Sequence, residues 1–183
     1  MSQGFSYQLV DQEVLKVQPD PYCFSAPGPG QMTVETLITA ISPGTELAAW
    51  SGAPPLRPTA KIYPRLMGYC NVSRVTGVDP AIDGFVVGDL VLTHLAHRSH
   101  AMITPTQVLC KIPKNADLTL VSTTYLFHLG YAACLKAGIT AGHQVAVIGL
   151  GTLGMTAAAM AHLSGARVTG FSNYVSASID IGL

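Results

Sequence analysis

The chain has 183 residues, of which 49% are apolar and 11% are charged, and its ten basic and ten acidic side chains balance to a net charge of zero. This composition predicts a folded core in one large or two small domains. The charge balance argues against a basic nucleic-acid surface, and no apolar run of about 20 residues predicts a membrane span. Because the first residues also lack the basic start of a signal peptide, we expect a cytoplasmic protein without nucleic-acid or membrane partners.

Residues 1–116 carry short apolar runs separated by turns rich in proline and glycine. Apolar runs of this length between turn residues are typical of β-strands. The clearest strands are predicted at residues 32–41, 68–78 and 89–93. This part of the chain is therefore predicted to be an all-β barrel or sandwich.

After residue 116 the pattern changes to long apolar helices that alternate with strands. Asp117 is the predicted N-cap, and Gly138 the predicted end, of a helix over residues 118–137. A strand at 144–148, a helix at 153–164 and a strand at 166–171 follow, which predicts the first half of a doubly wound parallel sheet over residues 117–183. An isolated β-α-β unit would leave a sheet edge exposed. We therefore expect it to be completed by more of a longer chain or by another chain.

The turn between the last two strands reads Gly149-Leu150-Gly151-Thr152-Leu153-Gly154, which is a GxGxxG motif. In this strand–turn–helix context the motif is typical of dinucleotide binding. Gly149 permits the tight turn, Gly151 lets a pyrophosphate approach the backbone, and Gly154 lets the helix pack on the strand. The N–H groups at the helix start, at Thr152 and Leu153, would then face the phosphate charge. The alternative is a glycine-rich turn that binds no ligand.

The residues after the last strand bear on the choice of cofactor. An Asp or Glu there would bind the ribose 2′-hydroxyl of NAD and repel the 2′-phosphate of NADP. This chain has Ser172 and Asn173 at that point, and both can donate hydrogen bonds to a phosphate. We therefore expect NADP in preference to NAD, although no Arg or Lys follows to pair with the phosphate.

Three further segments carry a family resemblance when they are read together with the glycine turn. They are Ala40–Glu46 (AISPGTE), Pro64–Val72 (PRLMGYCNV) and Gly84–Val91 (GFVVGDLV). With them, nearly the whole chain resembles the medium-chain dehydrogenase/reductase superfamily, and within it a variant similar to bacteriochlorophyllide and threonine dehydrogenases. The resemblance implies a GroES-like β-barrel substrate and catalytic domain at residues 1–116, followed by a partial Rossmann dinucleotide-binding domain at residues 117–183. It also implies an oxidoreductase, for which the residues after the last strand favour NADP(H), and a homodimer is expected because resembling proteins commonly form one.

The sequence departs from that family at the metal site. Zinc-dependent members have a Cys ligand where this chain has Pro43, and their Gly-His-Glu motif places His and Glu where this chain has Tyr69 and Cys70. Proline cannot bind a metal and tyrosine is a poor zinc ligand, so we expect no zinc. The alternative metal site would use Cys70 with three histidines, His94, His97 and His100. Histidines packed in a loop are the simpler explanation of that cluster.

Without zinc, the resemblance implies hydride transfer to or from a carbonyl or an activated C=C bond of a small to medium organic substrate. Tyr69 would donate a proton or hold an oxyanion, and Thr45 and His128 would lie near the nicotinamide. The expected pocket residues are Glu46, Trp50 and Cys70.

Each of these candidates also has a structural alternative. Tyr69 could be a packed aromatic ring, Thr45 a capping hydroxyl, Glu46 a first-turn helix acid and His128 a core histidine. For the whole chain, the alternatives are a non-catalytic dinucleotide-binding or scaffold protein that lost the metal site, and a zinc enzyme with unusual ligands.

Overall fold

The computed structural model describes residues 4–20, 26–53 and 63–173. The chain divides into two compact units, Met1–Ser122 and Thr123–Leu183. The first is β-rich and the second mixes helices with parallel strands, so the predicted fold class is confirmed. The division falls after Ser122 rather than after residue 116 because the short helix before it packs against strands of the first unit.

In the described part of the first unit, the strands form two antiparallel sheets. The strands are β1 Gly4–Asp11, β2 Val14–Asp20, β3 Met32–Thr39, β4 Arg65–Leu66, β5 Asn71–Val78, β6 Leu90–Thr93, β7 His100–Ile103 and β8 Val108–Lys111. One sheet has the order β2-β1-β4 and the other the order β7-β3-β5-β6-β8. Helix α1 spans Pro43–Ser51, helix α2 spans Leu118–Ser122, and a 3₁₀ turn at Pro105–Gln107 leads into β8.

Among the described residues, two apolar clusters stabilise the first unit. In the larger one, neighbouring strands of the five-stranded sheet bury Met32, Val34, Val75, Val91 and Ile103. Burying each such side chain is worth about 1.5–3 kcal/mol. The smaller cluster joins β1, α1 and the segment after β4 through Leu9, Ala49 and Met67. It fixes the position of α1 beside the segment that contains Tyr69.

A charged contact fixes the loop before β6. The Asp89 carboxylate accepts a hydrogen bond from the Val86 N–H at 2.9 Å and pairs with the Lys111 ammonium at 2.7 Å. Lys111 also donates to the Gly84 carbonyl and lies 5.5 Å from the centre of the Phe85 ring. The hydrogen bond from Lys111, helped by the one from Val86, holds the pKa of Asp89 below its ordinary value.

The second unit is built around one parallel strand pair. Its elements are α3 Thr124–Lys136, β9 Gln144–Ile148, α4 Thr152–Leu163 and β10 Arg167–Phe171. Strands β9 and β10 pair in parallel, and α4 forms the crossover between them. Helix α3 packs on α4 at Gly130, where an added Cβ would lie 2.6 Å from the backbone of Thr156. The predicted β-α-β unit is therefore confirmed.

The predicted single helix over residues 118–137 is wrong, because it is two helices that meet at Thr123. Asp117 caps the first, accepting a hydrogen bond from the Thr119 N–H at 2.8 Å, and Gly138, with φ of +63°, follows the second. The Ser122 carbonyl accepts a hydrogen bond from the Cys70 thiol, and the Leu126 N–H, which would bond to that carbonyl in a continuous helix, donates to the Thr123 carbonyl instead. Within the described ranges, none of the helices is long and apolar enough to cross a membrane.

Candidate functional site

The three glycines of the glycine turn in the second unit differ in why a side chain is absent. Gly149 has φ of +92°, which favours glycine, and its N–H donates to the Phe171 carbonyl at 2.8 Å. An added Cβ on Gly154 would lie closer than 3.0 Å to the Gly149 carbonyl oxygen. An added Cβ on Gly151 would meet no atom within 4 Å. Two of the glycines are thus required by the fold, while Gly151 leaves an open surface.

The start of α4 offers backbone N–H groups at that open surface. Gly151 is the N-cap, and Thr152 and Leu153 in the first turn are exposed. The first N–H groups of a helix have no partner within the helix and carry the positive end of its dipole. This first turn contains no acidic side chain that would compete with a bound anion.

Ser172 and Asn173 lie at the same end of the parallel pair as the glycine turn. Phe171 pairs with Ile148 in the register of β9 and β10, so the residues after both strands leave the sheet at one edge. Both Ser172 and Asn173 are exposed. This edge, at the carboxyl ends of parallel strands, is where ligands bind in open α/β sheets. Contact with a cofactor stays a prediction for both residues.

In the first unit, the turn that leads into α1 is held by Glu46. Ser42 is the N-cap and Pro43 the first helical residue. The Glu46 carboxylate accepts a hydrogen bond from the Ser42 N–H at 2.7 Å, and the Glu46 N–H donates to the Ser42 carbonyl at 2.9 Å. Thr45 is exposed on the same turn and Trp50 is 38% exposed later in the helix.

The second carboxylate oxygen of Glu46 contacts a buried histidine. The distance from Glu46 Oε2 to His97 Nε2 is 2.9 Å, and the two side chains are 12% and 8% exposed. The other ring nitrogen, His97 Nδ1, lies 2.6 Å from Thr39 Oγ1. The Thr39 hydroxyl donates in turn to the Cys70 carbonyl at 2.8 Å. We call these four residues the His97 network.

The segment that carries Tyr69 is placed by the same histidine. The His97 N–H donates to the Met67 carbonyl at 2.7 Å. Gly68 has φ of +85°, and an added Cβ there would lie within 3.0 Å of the imidazole ring. Tyr69 follows and is half-buried, whereas Cys70 is 4% exposed and its thiol donates to the Ser122 carbonyl.

The sequence prediction missed the His97 network. Glu46 and His97 are 51 residues apart, and no motif or spacing relates them. The sequence suggested His97 only as a metal ligand or a loop histidine. With both ring nitrogens bonded to Glu46 and Thr39, His97 gives the alternative metal site no support. Among residues 4–20, 26–53 and 63–173, no three His, Cys, Asp or Glu side chains cluster as metal ligands.

Comparison with solved structures identifies the fold. A putative zinc-binding dehydrogenase from Sinorhizobium meliloti 1021, bound to NADP, matches 96% of this chain at a TM-score of 0.76 and 18% identity. The Escherichia coli quinone oxidoreductase complexed with NADPH matches 95% at 0.72 and 18%, and the CurF ER cyclopropanase of the curacin A pathway matches 93% at 0.78 and 17%. The chain shares the fold of these three structures, in agreement with the predicted resemblance to the medium-chain dehydrogenase/reductase superfamily.

The match covers only part of each of these structures. This chain spans 58%, 53% and 55% of the lengths of those three structures, in the order given. A scan against protein-family models and a search of curated proteins found no match. The fold is shared at low identity, so the residues of the site must carry any argument about activity.

The predicted site residues fall into both units. Thr45, Glu46, Trp50, Tyr69 and Cys70 are in the first, where the His97 network joins the α1 turn to the Tyr69 segment. His128 is in the second unit, where it is exposed on α3, with its ring centre 5.9 Å from that of Tyr125, so it is not a core histidine. The catalytic and pocket roles stay predictions.

Proposed function

We propose that this chain carries the nucleotide-binding turn and the substrate-side residues of an NADP(H)-dependent oxidoreductase. The reaction would be hydride transfer to or from a carbonyl or activated C=C bond of a small to medium organic substrate, without zinc. The observation that carries the proposal is the geometry of the glycine turn. Gly149 and Gly154 are required by the turn and by helix packing, and Gly151 leaves the helix start open to a pyrophosphate.

Two features support NADP as the cofactor. Ser172 and Asn173 place hydrogen-bond donors, and no carboxylate, directly after β10. Two of the proteins that share the fold were solved with NADP and NADPH. A bound nicotinamide would supply or accept the hydride.

The residues at the family's zinc positions support a reaction without zinc. Pro43 has no ligand atom, and the Cys70 side chain is buried with its thiol bonded to a carbonyl. The half-buried Tyr69 can donate a hydrogen bond to a substrate oxygen as negative charge develops on it. The exposed Thr45 hydroxyl can bind the same substrate. His128 in the second unit keeps its predicted place beside the nicotinamide as a proposal only.

The cofactor proposal is tested by calorimetric titration of the full chain with NADPH and then NADH. We expect NADPH to bind more tightly, and Gly151→Ala to weaken it about tenfold because the new methyl group occupies the phosphate approach. Leu163→Ala, at the exposed far end of α4, is the matched control and should bind as the parent does. If Gly151→Ala binds NADPH as tightly as the parent chain, the glycine turn is not the cofactor site.

The second candidate is a non-catalytic dinucleotide-binding protein, which the loss of ligand atoms at Pro43 also favours. A screen of enones, quinones and ketones, followed by NADPH absorbance, separates the two. Turnover that Tyr69→Phe reduces supports the reductase, whereas NADPH binding with no turnover supports the binding protein. The cytoplasmic location, the homodimer and the expected lack of nucleic-acid and membrane partners remain proposals.

A further inference from the structure

The two segments that carry the substrate-side candidates of the first unit are far apart in the chain. Thr45 lies on the turn into α1, and Tyr69 lies between Gly68 and Cys70. One buried imidazole contacts both segments. His97 bonds to Glu46 on the first, its ring faces the Gly68 backbone, and it reaches the Cys70 carbonyl through Thr39.

The hydrogen bonds of this network fix the direction of the contact between His97 and Glu46. The carboxylate of Glu46 accepts, so His97 Nε2 donates to it. The Thr39 hydroxyl lies within hydrogen-bond distance of two groups, the Cys70 carbonyl at 2.8 Å and His97 Nδ1 at 2.6 Å. Thr39 thus bridges the imidazole and the carbonyl, and both ring nitrogens of His97 have a partner.

A buried polar network whose groups are all hydrogen-bonded makes its surroundings rigid, because each unmade bond leaves a desolvated polar group. Both carboxylate oxygens of Glu46 are used, one by Ser42 N–H and one by His97. A shift of either segment would break one of these bonds inside the protein, where water cannot replace it. The bonds of the network therefore specify one relative placement of the two segments.

We propose that His97, with both ring nitrogens bonded, is a positioning residue that holds Thr45 and Tyr69 in the arrangement needed for hydride transfer. It touches no reacting atom itself. The statement that Thr45 and Tyr69 act on the substrate rests on the proposed function. The hydrogen-bond arrangement stands independently of it.

The arrangement is tested first by ¹⁵N NMR of the imidazole side chains in the full chain at neutral pH. We expect the His97 resonances, assigned by their loss in His97→Gln, to show a proton on Nε2, the nitrogen that donates to Glu46. A His97 ring without a proton on Nε2 would overturn the proposed arrangement. This measurement needs neither cofactor nor activity.

The positioning role is tested by removing the Thr39 hydroxyl, which bridges His97 and the Cys70 carbonyl, while the histidine is kept. Thr39→Val deletes the hydroxyl at nearly constant shape, and Thr39→Ser restores it. We expect kcat to fall by about ten- to a hundredfold in Thr39→Val, because small misplacements of reacting groups have effects of that size. The KM for NADPH should stay unchanged, since the glycine turn is in the other unit. Thr39→Ser should recover most of the kcat.

Thr36 on the same strand is the matched control. Its hydroxyl is buried and has no hydrogen-bond partner within the part of the chain that the structure describes, so Thr36→Val should leave kcat unchanged. A Thr39→Val chain that loses stability but keeps its kcat would overturn the positioning role. A parent chain that turns over no substrate would contradict the proposed function and the role of His97 in it, while the NMR result would still decide the hydrogen-bond arrangement.

Discussion

Each unit of this protein contains a glycine whose missing side chain makes room for a neighbour. In the second unit, Gly154 on α4 lies against the carbonyl of Gly149. In the first unit, Gly68 lies against the ring of His97. The first pair belongs to one short motif, whereas the second pair is brought together only when β1, β4 and the loop before β7 have assembled.

The two contacts also differ in whether the neighbouring group can be removed by a substitution. The neighbour of Gly154 is the backbone carbonyl of Gly149, which is fixed by β9 before it and by α4 after it. The neighbour of Gly68 is a side chain, which a substitution can remove. The comparison therefore teaches that a glycine in a local motif is constrained by chain geometry, and a glycine in a nonlocal contact by one particular partner.

The largest effect is expected for Gly154→Ala. The added methyl group would overlap the Gly149 carbonyl, so α4 must move away from β9. We expect a loss of about 3 kcal/mol in the free energy of unfolding of the second unit, at the upper end of overpacking effects. Urea unfolding followed by circular dichroism measures it. Gly151→Ala, in the same turn but with open space, is the control and should unfold as the parent does.

Gly68→Ala should lower the free energy of unfolding of the first unit by less, and the loss should be smaller still in a His97→Ala background. The positive φ of Gly68 and the overlap with the imidazole together suggest a loss of about 2–3 kcal/mol. In a His97→Ala background the overlap is gone but the backbone strain stays, so Gly68→Ala should destabilise by only about 1–2 kcal/mol. Equal effects in both backgrounds would show that the ring does not constrain Gly68.

The same distinction explains how much of the molecule the sequence could predict. The β-α-β order of the second unit, the glycine turn and the Asp117 cap depend on neighbouring residues, and they were predicted correctly. The break at Thr123 was not, because it depends on a hydrogen bond from Cys70, which is distant in the chain. The pairing of Glu46 with His97 was missed for the same reason, since nothing near either residue encodes the other.

A third turn, Gly84–Asp89, extends the comparison to a contact held by charge. Asp89 bonds to Val86 N–H within the turn and to Lys111 on β8, so it combines a local with a nonlocal partner. Asp89→Asn can keep the local hydrogen bond while it loses the ionic one. Because Lys111 is about half exposed, we expect a loss of only about 0.5–1 kcal/mol at neutral pH, smaller still at high salt.

The pH dependence of that loss identifies its cause. The pKa of Asp89 is lowered in the folded chain, chiefly by the hydrogen bond from Lys111, so the unfolded chain holds the proton more tightly. The stabilisation is then complete above the ordinary pKa of 3.8 and is lost as the pH falls through the lower folded value. Urea unfolding of the parent and Asp89→Asn chains should differ at pH 7 and converge under strongly acidic conditions. Asp83→Asn, an exposed carboxylate on the same loop, is the control and should not differ from the parent at pH 7. A difference between parent and Asp89→Asn that persists at acid pH would mean that the shape of the side chain, and not its charge, holds the turn.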